Sequence, residues 1–239
     1  MSRTSLAVVA LLGFLLLAAD KNEGEVRLFN GKDFAGWKFT NDDAKGVWKV
    51  VSNVKVDPAD PRRLVGDGAG GGEKGILLAT PMKTGGSLVT EQSFGDVEFR
   101  GEFLVPKDGN TGVFFMGRYE VQSADSFGKP ESELTELDCG GIPWTKTAAV
   151  NACAKPGEWQ TYEIVFRAPR FDPAGKKTTN ARFVSVTLNG KKVHENVDAP
   201  DPTGGGIEGD ETPTGPILLQ GDEGHGAWRN VRVTPVKLN

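Results

Sequence analysis

Three polar side chains occupy alternate positions near the middle of the chain. Arg118, Glu120 and Gln122 alternate with Tyr119 and Val121, and in a β-strand this spacing places the three polar groups on one face. A guanidinium, a carboxyl and an amide on one face suit a groove that binds a hydroxyl-rich ligand. An adjacent Arg118 would lower the pKa of Glu120 and favour ligand or metal binding over proton transfer. A structural ion pair is the alternative interpretation.

His225 is the residue whose ordinary pKa best suits proton transfer near neutral pH. It lies in the glycine-flanked segment 220–226, which begins at Gln220, and loops between strands often carry functional groups. We predict catalytic roles for His225 and Glu120 and a ligand contact for Gln220. A surface histidine in a flexible turn is the alternative interpretation of His225.

Two further side chains are candidates for ligand contact. Arg100 lies on the polar face of a predicted strand and could orient a carbonyl or carboxylate, although Glu98 and Glu102 beside it fit an ordinary ion pair equally well. Trp144 lies in a Gly-Gly-Ile-Pro-Trp segment, and its aromatic face suits the C–H face of a sugar ring. We predict that Trp144 forms a groove wall.

Carboxylates that could bind a hard cation lie close to these candidates. Asp125 follows Glu120, and Asp222 and Glu223 precede His225. Such oxygen ligands suit Ca²⁺ or Mg²⁺, whereas a total of two histidines argues against a histidine-rich zinc site. A divalent ion at Asp125 and Glu120 is therefore a hypothesis, and no organic cofactor is expected.

Strands must position these groups. In 96–105, Val97, Phe99, Phe103 and Val105 alternate with charged residues, so one face is core and the other is wet. Further strands, separated by Gly, Pro, Asn and Asp clusters, are predicted at 48–51, 76–79, 86–90, 159–167, 182–189, 216–220 and 228–233. The chain lacks a sustained period of 3.6 residues, which predicts an all-β fold of two packed antiparallel sheets.

The sequence also predicts several turns and loops between the strands. Asn189-Gly190 between two apolar runs predicts a β-hairpin. We expect long surface loops at 172–180 and 200–216, of which the second could border a ligand groove. A helical turn is expected at 131–138.

Composition and the N-terminus limit the class of protein. The chain has 239 residues and a net charge of −4, and the lack of a Lys/Arg cluster argues against nucleic acid as the partner. Residues 1–19 combine Arg3, an apolar stretch at 6–17 and two alanines, which predicts a signal peptide or an uncleaved anchor. The stretch is short for a stable membrane span. We expect an exported protein with one domain at 20–239.

The only cysteines are Cys139 and Cys153. An even pair in an exported chain predicts a disulfide, which would stabilise the fold by about 3 kcal/mol in the chain-entropy model. Two buried free thiols are the alternative.

Six short motifs occur in the order found in one family. The opening segment 28–37 reads LFNGKDFAGW, and five more motifs lie at 110–114, 117–122, 156–162, 188–190 and 229–233. Together they resemble the 3-keto-disaccharide hydrolase domain family along almost all of 20–239. The segment 54–74 departs from the compact pattern of that family. The resemblance implies a concanavalin A-like jelly-roll β-sandwich, usually exported, that acts on oxidised sugars.

The implied chemistry follows from a ketone at C3 of a pyranose. The ketone acidifies the hydrogen on C2, whose loss allows the C1 oxygen to leave by elimination, and water then adds. This route needs a base, an electrophile for the enolate and an acid at the leaving oxygen. The predicted partner is an oxidised oligosaccharide or glycoside. A lectin-like binding module without turnover is the main alternative, and a conventional glycosidase with paired carboxylates is the third.

Overall fold

The computed structural model of the chain describes residues 24–72, 75–81 and 85–239. The predicted signal peptide at 1–19 lies outside the described residues. Within the described ranges, no helix is both long enough and apolar enough to span a membrane.

Two antiparallel sheets form the body of the protein, which confirms the predicted all-β class. Numbered in chain order, the strands are β1 (Val26–Arg27), β2 (Trp37–Phe39), β3 (Trp48–Val51), β4 (Asn53–Asp57), β5 (Asp60–Asp67), β6 (Ile76–Ala79), β7 (Leu88–Phe94), β8 (Val97–Leu104), β9 (Gly112–Phe115), β10 (Tyr119–Gln122), β11 (Gln160–Arg167), β12 (Arg170–Phe171), β13 (Lys177–Thr179), β14 (Ala181–Leu188), β15 (Lys191–Ala199), β16 (Gly215–Leu219) and β17 (Gly226–Pro235). Helix α1 has one turn, Ala44–Val47.

The two sheets differ in size. The larger sheet runs β15-β14-β11-β8-β17-β6-β3, with β1 beside β17, and the smaller runs β10-β9-β16-β7-β2. The strand order places β10 at one edge of the smaller sheet. The hairpin predicted at Asn189-Gly190 joins β14 to β15, and both residues have positive φ.

The main core lies between the sheets. Phe99 and Phe103 of β8 are buried there with Phe115, Tyr162 and Phe166. The alternation predicted for 96–105 is therefore confirmed at its apolar positions. Burial of large apolar side chains of this kind is the main favourable term in folding, at about 1.5–3 kcal/mol for each one.

A smaller core lies on the outer face of the larger sheet. Strands β4 and β5 pair as a hairpin, and Leu64 of that hairpin packs with Leu78, Leu104 and Ala227 of the larger sheet. This hairpin occupies most of the segment 54–74 that departs from the family pattern. It covers a sheet face that would otherwise expose apolar side chains.

Other connections differ from the sequence prediction. The apolar start and alternating end of 113–122 fit a single strand, but the segment is the β9–β10 hairpin, in which the three-residue loop 116–118 lies between the paired Phe115 and Tyr119. Met116 and Gly117 in this loop have φ of 56° and 65°. A methionine with positive φ is unusual, which is why the turn is hard to recognise. The predicted loop 172–180 contains β13, and the predicted helical turn at 131–138 is a 3₁₀ turn at Glu131–Glu133.

Candidate active site

The β9–β10 hairpin presents Glu120 and Gln122 on the face of the smaller sheet that points away from the main core. Tyr119 and Val121 belong to that core, and side chains alternate along a strand, so their neighbours point the other way. Glu120 lies opposite Phe114 in the ladder. Although it faces outward, Glu120 is only 5% exposed.

Gly112 makes room for the Glu120 carboxyl group. A Cβ atom at position 112 would lie 2.0 Å from Oε1 of Glu120, far inside van der Waals contact. In the same ladder Gln122 pairs with Gly112, so the Gln122 amide lies beside the Glu120 carboxyl group. A glycine here is therefore required by the carboxyl group and not by the backbone conformation.

Glu120 is held by its neighbours at two points. The Gln122 amide, oriented so that its nitrogen faces acceptors, places that nitrogen 3.2 Å from Oε1 of Glu120, 2.8 Å from Oδ1 of Asn110 and 3.0 Å from the carbonyl oxygen of Thr111. Its two N–H groups are shared among these three acceptors. The backbone N–H of Glu120 donates to Oγ1 of Thr203 at 2.9 Å. The Gln122 amide thus helps to orient the carboxyl group.

A polar cavity of about 280 Å³ opens over this carboxyl group. Its lining residues are Asn110, Glu120, Gln122, Leu137, Pro143, Trp144, Thr203, Gly204, Gly205, Gln220 and Glu223. Gln220 is 5% exposed, and among the described residues its Oε1 atom has no hydrogen-bond partner. A buried acceptor without a partner is costly, so this amide group is a polar group that the packing around the cavity does not satisfy.

The cavity raises the proton affinity of Glu120. Burial, and then the negative charges of Glu223 and Asp222, raise the pKa of Glu120 to about 8. Removal from water and nearby like charge both disfavour the ionised form. At neutral pH the Glu120 carboxyl is therefore mainly protonated and can donate a hydrogen bond.

Arg118 has a different role from the one predicted. Its guanidinium group donates to the carbonyl oxygens of Ile207, Glu208 and Asp210 at 2.9, 3.3 and 2.6 Å. The predicted lowering of the Glu120 pKa by Arg118 is wrong, because this side chain is directed to the 200–214 loop. Its predicted substrate contact is wrong for the same reason.

The 200–214 loop forms one wall of the cavity. Thr203 and Ile207 donate their backbone N–H groups to the carbonyls of Arg118 and Gly117 at 3.0 and 2.8 Å, which joins the loop to the turn that precedes β10. A Cβ atom on Gly206 would lie 2.1 Å from the carbonyl oxygen of Gly117. The three consecutive glycines at 204–206 thus include one that close approach requires. The expectation that this loop borders a groove is confirmed by the lining of the cavity.

His225 is directed away from Glu120. Its Nδ1 accepts a hydrogen bond from the backbone N–H of Leu64 at 3.2 Å, so the ring contacts the β4–β5 hairpin. Burial, and then the charge of Arg63, lower the pKa of His225 below its ordinary value. His225 is also absent from the lining of the Glu120 cavity, so the structure does not bring the two predicted catalytic residues together.

Two other predicted site residues lie elsewhere. Arg100 forms an ion pair of 2.7 Å with Glu163 on the solvent face of the larger sheet and is absent from the lining of the Glu120 cavity, so the structure does not bring it together with Glu120. Asp125 accepts backbone N–H groups of Asp108 at Oδ2 and of Phe127 at Oδ1, which leaves it unsuited to the predicted metal role. In the described parts of the chain, no three His, Cys, Asp or Glu side chains form a group that could hold a metal ion.

The two cysteines are neighbours but free thiols. Burial raises the pKa of Cys139 well above its ordinary value, and a hydrogen bond between the thiols lowers the pKa of Cys153 to about 7. The structure thus has the alternative of two free thiols, and the disulfide between them stays a prediction. Tyr162 contacts the Cys139 sulfur at 4.0 Å.

Of the predicted ligand contacts, Gln122, Trp144 and Gln220 do line the cavity with Glu120. The sequence did not single out Thr203, and it suggested Glu223 only as a metal ligand. The acidic pair in a glycine-flanked loop was the available signal for Glu223. Thr203 had no local signal, since its contact with β10 spans 83 residues.

Comparisons with known proteins identify the class. Residues 24–234 match the 3-keto-alpha-glucoside-1,2-lyase-like domain family. The chain belongs to this family.

One characterised relative and several solved structures resemble the chain. A 3-keto-disaccharide hydrolase of Bacteroides thetaiotaomicron is 29% identical over 107 residues, which is 44% of this chain and 31% of that protein. The match thus spans about a third of the relative's length.

Three crystal structures from Parabacteroides distasonis, each carrying the provisional name glycosyl hydrolase, share the fold. The first is 25% identical with a TM-score of 0.66 and covers 90% of this chain and 84% of its own. The second is 18% identical with a TM-score of 0.59, covering 93% and 99%. The third is 20% identical with a TM-score of 0.55, covering 89% and 99%. The predicted concanavalin A-like sandwich is confirmed.

Proposed function

We propose that this protein cleaves 3-keto-glycosides by elimination and hydration, with Glu120 as a neutral acid and Glu223 as the base. The family and the named relative support a carbohydrate-active hydrolase. The observation that carries the proposal is a buried, protonated carboxyl group and a second carboxylate in one polar cavity. Groups of different protonation state in one site are the usual mark of acid–base chemistry.

Glu120 acts on the ketone. The Glu120 O–H donates a hydrogen bond to the oxygen at C3, where negative charge develops when the C2 proton leaves. A neutral carboxylic acid in a water-poor site stabilises such an enolate well, because its dipole is already oriented. The Gln122 amide keeps the carboxyl group in place through Oε1.

Glu223 moves the proton. Its carboxylate, whose charge helps to raise the pKa of Glu120, takes the hydrogen from C2. The enolate then reforms the ketone, C1 and C2 become doubly bonded, and the C1–oxygen bond breaks. The protonated Glu223 returns its proton to the leaving oxygen. Water adds at C1 and a proton returns to C2, so the net reaction is a hydrolysis with no change of oxidation state.

Gln220 supplies a side-chain amide to the same cavity. An amide both donates to and accepts from hydroxyl groups, and the C3 ketone accepts from the Glu120 O–H. The site therefore suits a ring that carries both a ketone and a free hydroxyl group.

The test compares a 3-keto-disaccharide with its unoxidised parent. The proposal expects cleavage of the keto-sugar alone, with a primary isotope effect when C2 carries deuterium. Cleavage of the parent without exchange at C2 would contradict it and favour an ordinary glycosidase. Binding of one or both sugars with cleavage of neither would contradict it in favour of a lectin-like module. The Glu120→Gln variant is the matched control for contaminating activity.

A further inference from the structure

A second cavity adjoins the first across Trp144. It measures about 930 Å³, and Trp144 lines both cavities. Its other walls come from β15 and from the segment 145–149. Trp144 is thus the residue at which the smaller cavity and the larger cavity meet.

The backbone holds Trp144 in an unfavourable conformation. Its φ is 57°, a left-handed value that is costly for a large residue. Ile142 and Lys146 exchange two backbone hydrogen bonds of 2.9 Å on either side, which closes a tight turn with Trp144 near its tip. The side chain is 74% exposed. The turn accounts for this φ, and because the ring is not packed in the core its face is available to a ligand.

The larger cavity has the chemistry of a carbohydrate site. Lys192 and Glu195 of β15 form an ion pair of 2.6 Å on its wall, and Lys146, Thr147 and Glu136 also line it. Donors and acceptors are therefore both available to hydroxyl groups. Together with an exposed indole face, this mixture suits sugar rings better than an apolar ligand.

The two volumes imply an unequal division of the substrate. Cavities for drug-sized ligands measure about 300–1,000 Å³. The chamber over Glu120, at about 280 Å³, is at the lower end and fits one sugar ring. The chamber beyond Trp144, at about 930 Å³, is large enough for two or three rings.

We propose that the cavity beyond Trp144 is a leaving-group subsite for an oligosaccharide, so that the protein removes single terminal keto-sugars from chains longer than a disaccharide. This inference rests on the proposed function. Stacking of the first leaving-group ring on Trp144 holds the scissile bond at the junction of the two chambers, beside Glu120 and Glu223.

The experiment measures kcat/KM for di-, tri- and tetrasaccharides that carry the ketone on the terminal ring. We expect kcat/KM to rise about tenfold from the disaccharide to the trisaccharide, as one stacked ring with a few hydrogen bonds provides. The Trp144→Ala variant should lose that dependence on length, whereas Trp144→Phe, which keeps an aromatic face, should retain most of it. A wild-type value that does not change with length would overturn the inference while leaving the proposed function intact.

Phe127→Ala is the matched control. Phe127 is 48% exposed and is absent from the linings of both described cavities, so its loss should not change the length dependence. A loss equal to that of Trp144→Ala would refute a specific subsite. Binding of the unoxidised oligosaccharides, followed by quenching of indole fluorescence, tests the subsite without turnover. If no keto-sugar is cleaved, the proposed function fails but the subsite can still be tested. Quenching that grows with oligosaccharide length and is lost in Trp144→Ala supports the subsite, and quenching without that dependence overturns it.

Discussion

Replacing Glu120 with glutamine should make the protein more stable in mild alkali and far less active. In wild type the folded pKa of about 8 exceeds the ordinary value of 4.5, so the folded state holds the proton more tightly than the unfolded chain. The stability from this proton is fully present below about pH 4.5 and is lost as pH rises through about 8. At about 1.4 kcal/mol for each pH unit, the loss is about 5 kcal/mol. Glutamine is neutral throughout and does not incur it.

Urea unfolding at about pH 5, 7 and 9 checks the stability part of this prediction. The free energy of unfolding of Glu120→Gln, minus that of wild type, should grow by about 4 kcal/mol between the lowest and the highest pH, because at about pH 5 part of the loss has already occurred. The amide can still accept the hydrogen bond from Gln122, so its site should otherwise be preserved. A difference that is constant with pH would refute the reasoning that burial keeps this carboxyl protonated.

Kinetics check the catalytic part. The variant should lose about 10²–10⁴ in kcat on a 3-keto-disaccharide, the usual value of a positioned acid. In wild type, kcat/KM should fall as pH rises above about 8, because Glu120 then loses its proton. A variant with wild-type kcat would exclude Glu120 from the reaction.

Three further predictions concern neighbours of Glu120. Of the two carboxylates whose charge raises the Glu120 pKa, Glu223 has the larger effect. In the Glu223→Gln variant the alkaline limb of the pH profile should therefore move to lower pH, and kcat should fall at least about 100-fold. An unmoved limb would contradict this. Gly112→Ala forces a methyl group onto the carboxyl group and should abolish most activity at a stability cost of about 1–3 kcal/mol, measured by turnover and urea unfolding; full activity would show that the carboxyl position is unimportant. His225→Ala should lower the free energy of unfolding by about 1 kcal/mol, because the hydrogen bond from the Leu64 N–H is lost. It should leave kcat within about twofold. A large loss of kcat in the folded variant would show that His225 takes part in catalysis.

Local periodicity was sufficient to predict the strands and the outward face of Glu120. Alternation of apolar and polar residues located β8 and the side of β10 that carries Glu120 and Gln122, because the side chains of a strand must alternate. The same rule placed Arg118 beside Glu120. It could not show that the Arg118 guanidinium would meet carbonyl oxygens about 90 residues later in the chain.

Long-range contacts account for the other errors. His225 has the ordinary pKa of a catalytic group, but its partner Leu64 is 161 residues away, on a hairpin whose docking no local pattern reveals. The raised pKa of Glu120 depends on burial under the 200–214 loop and on charges from 222–223. Such effects follow from tertiary packing and not from residue type.

The anchoring of the 200–214 loop has a consequence for how specificity can change. Arg118 binds three main-chain carbonyl oxygens of the loop, and every amino acid supplies that oxygen. Side chains at 207, 208 and 210 can therefore be exchanged without removing the anchor, whereas Gly206 is fixed by its close approach to Gly117. Under the proposed function, the loop is therefore a replaceable cover over Glu120, and sugar preference can change through a few loop positions while Glu120 and its supporting strand stay the same.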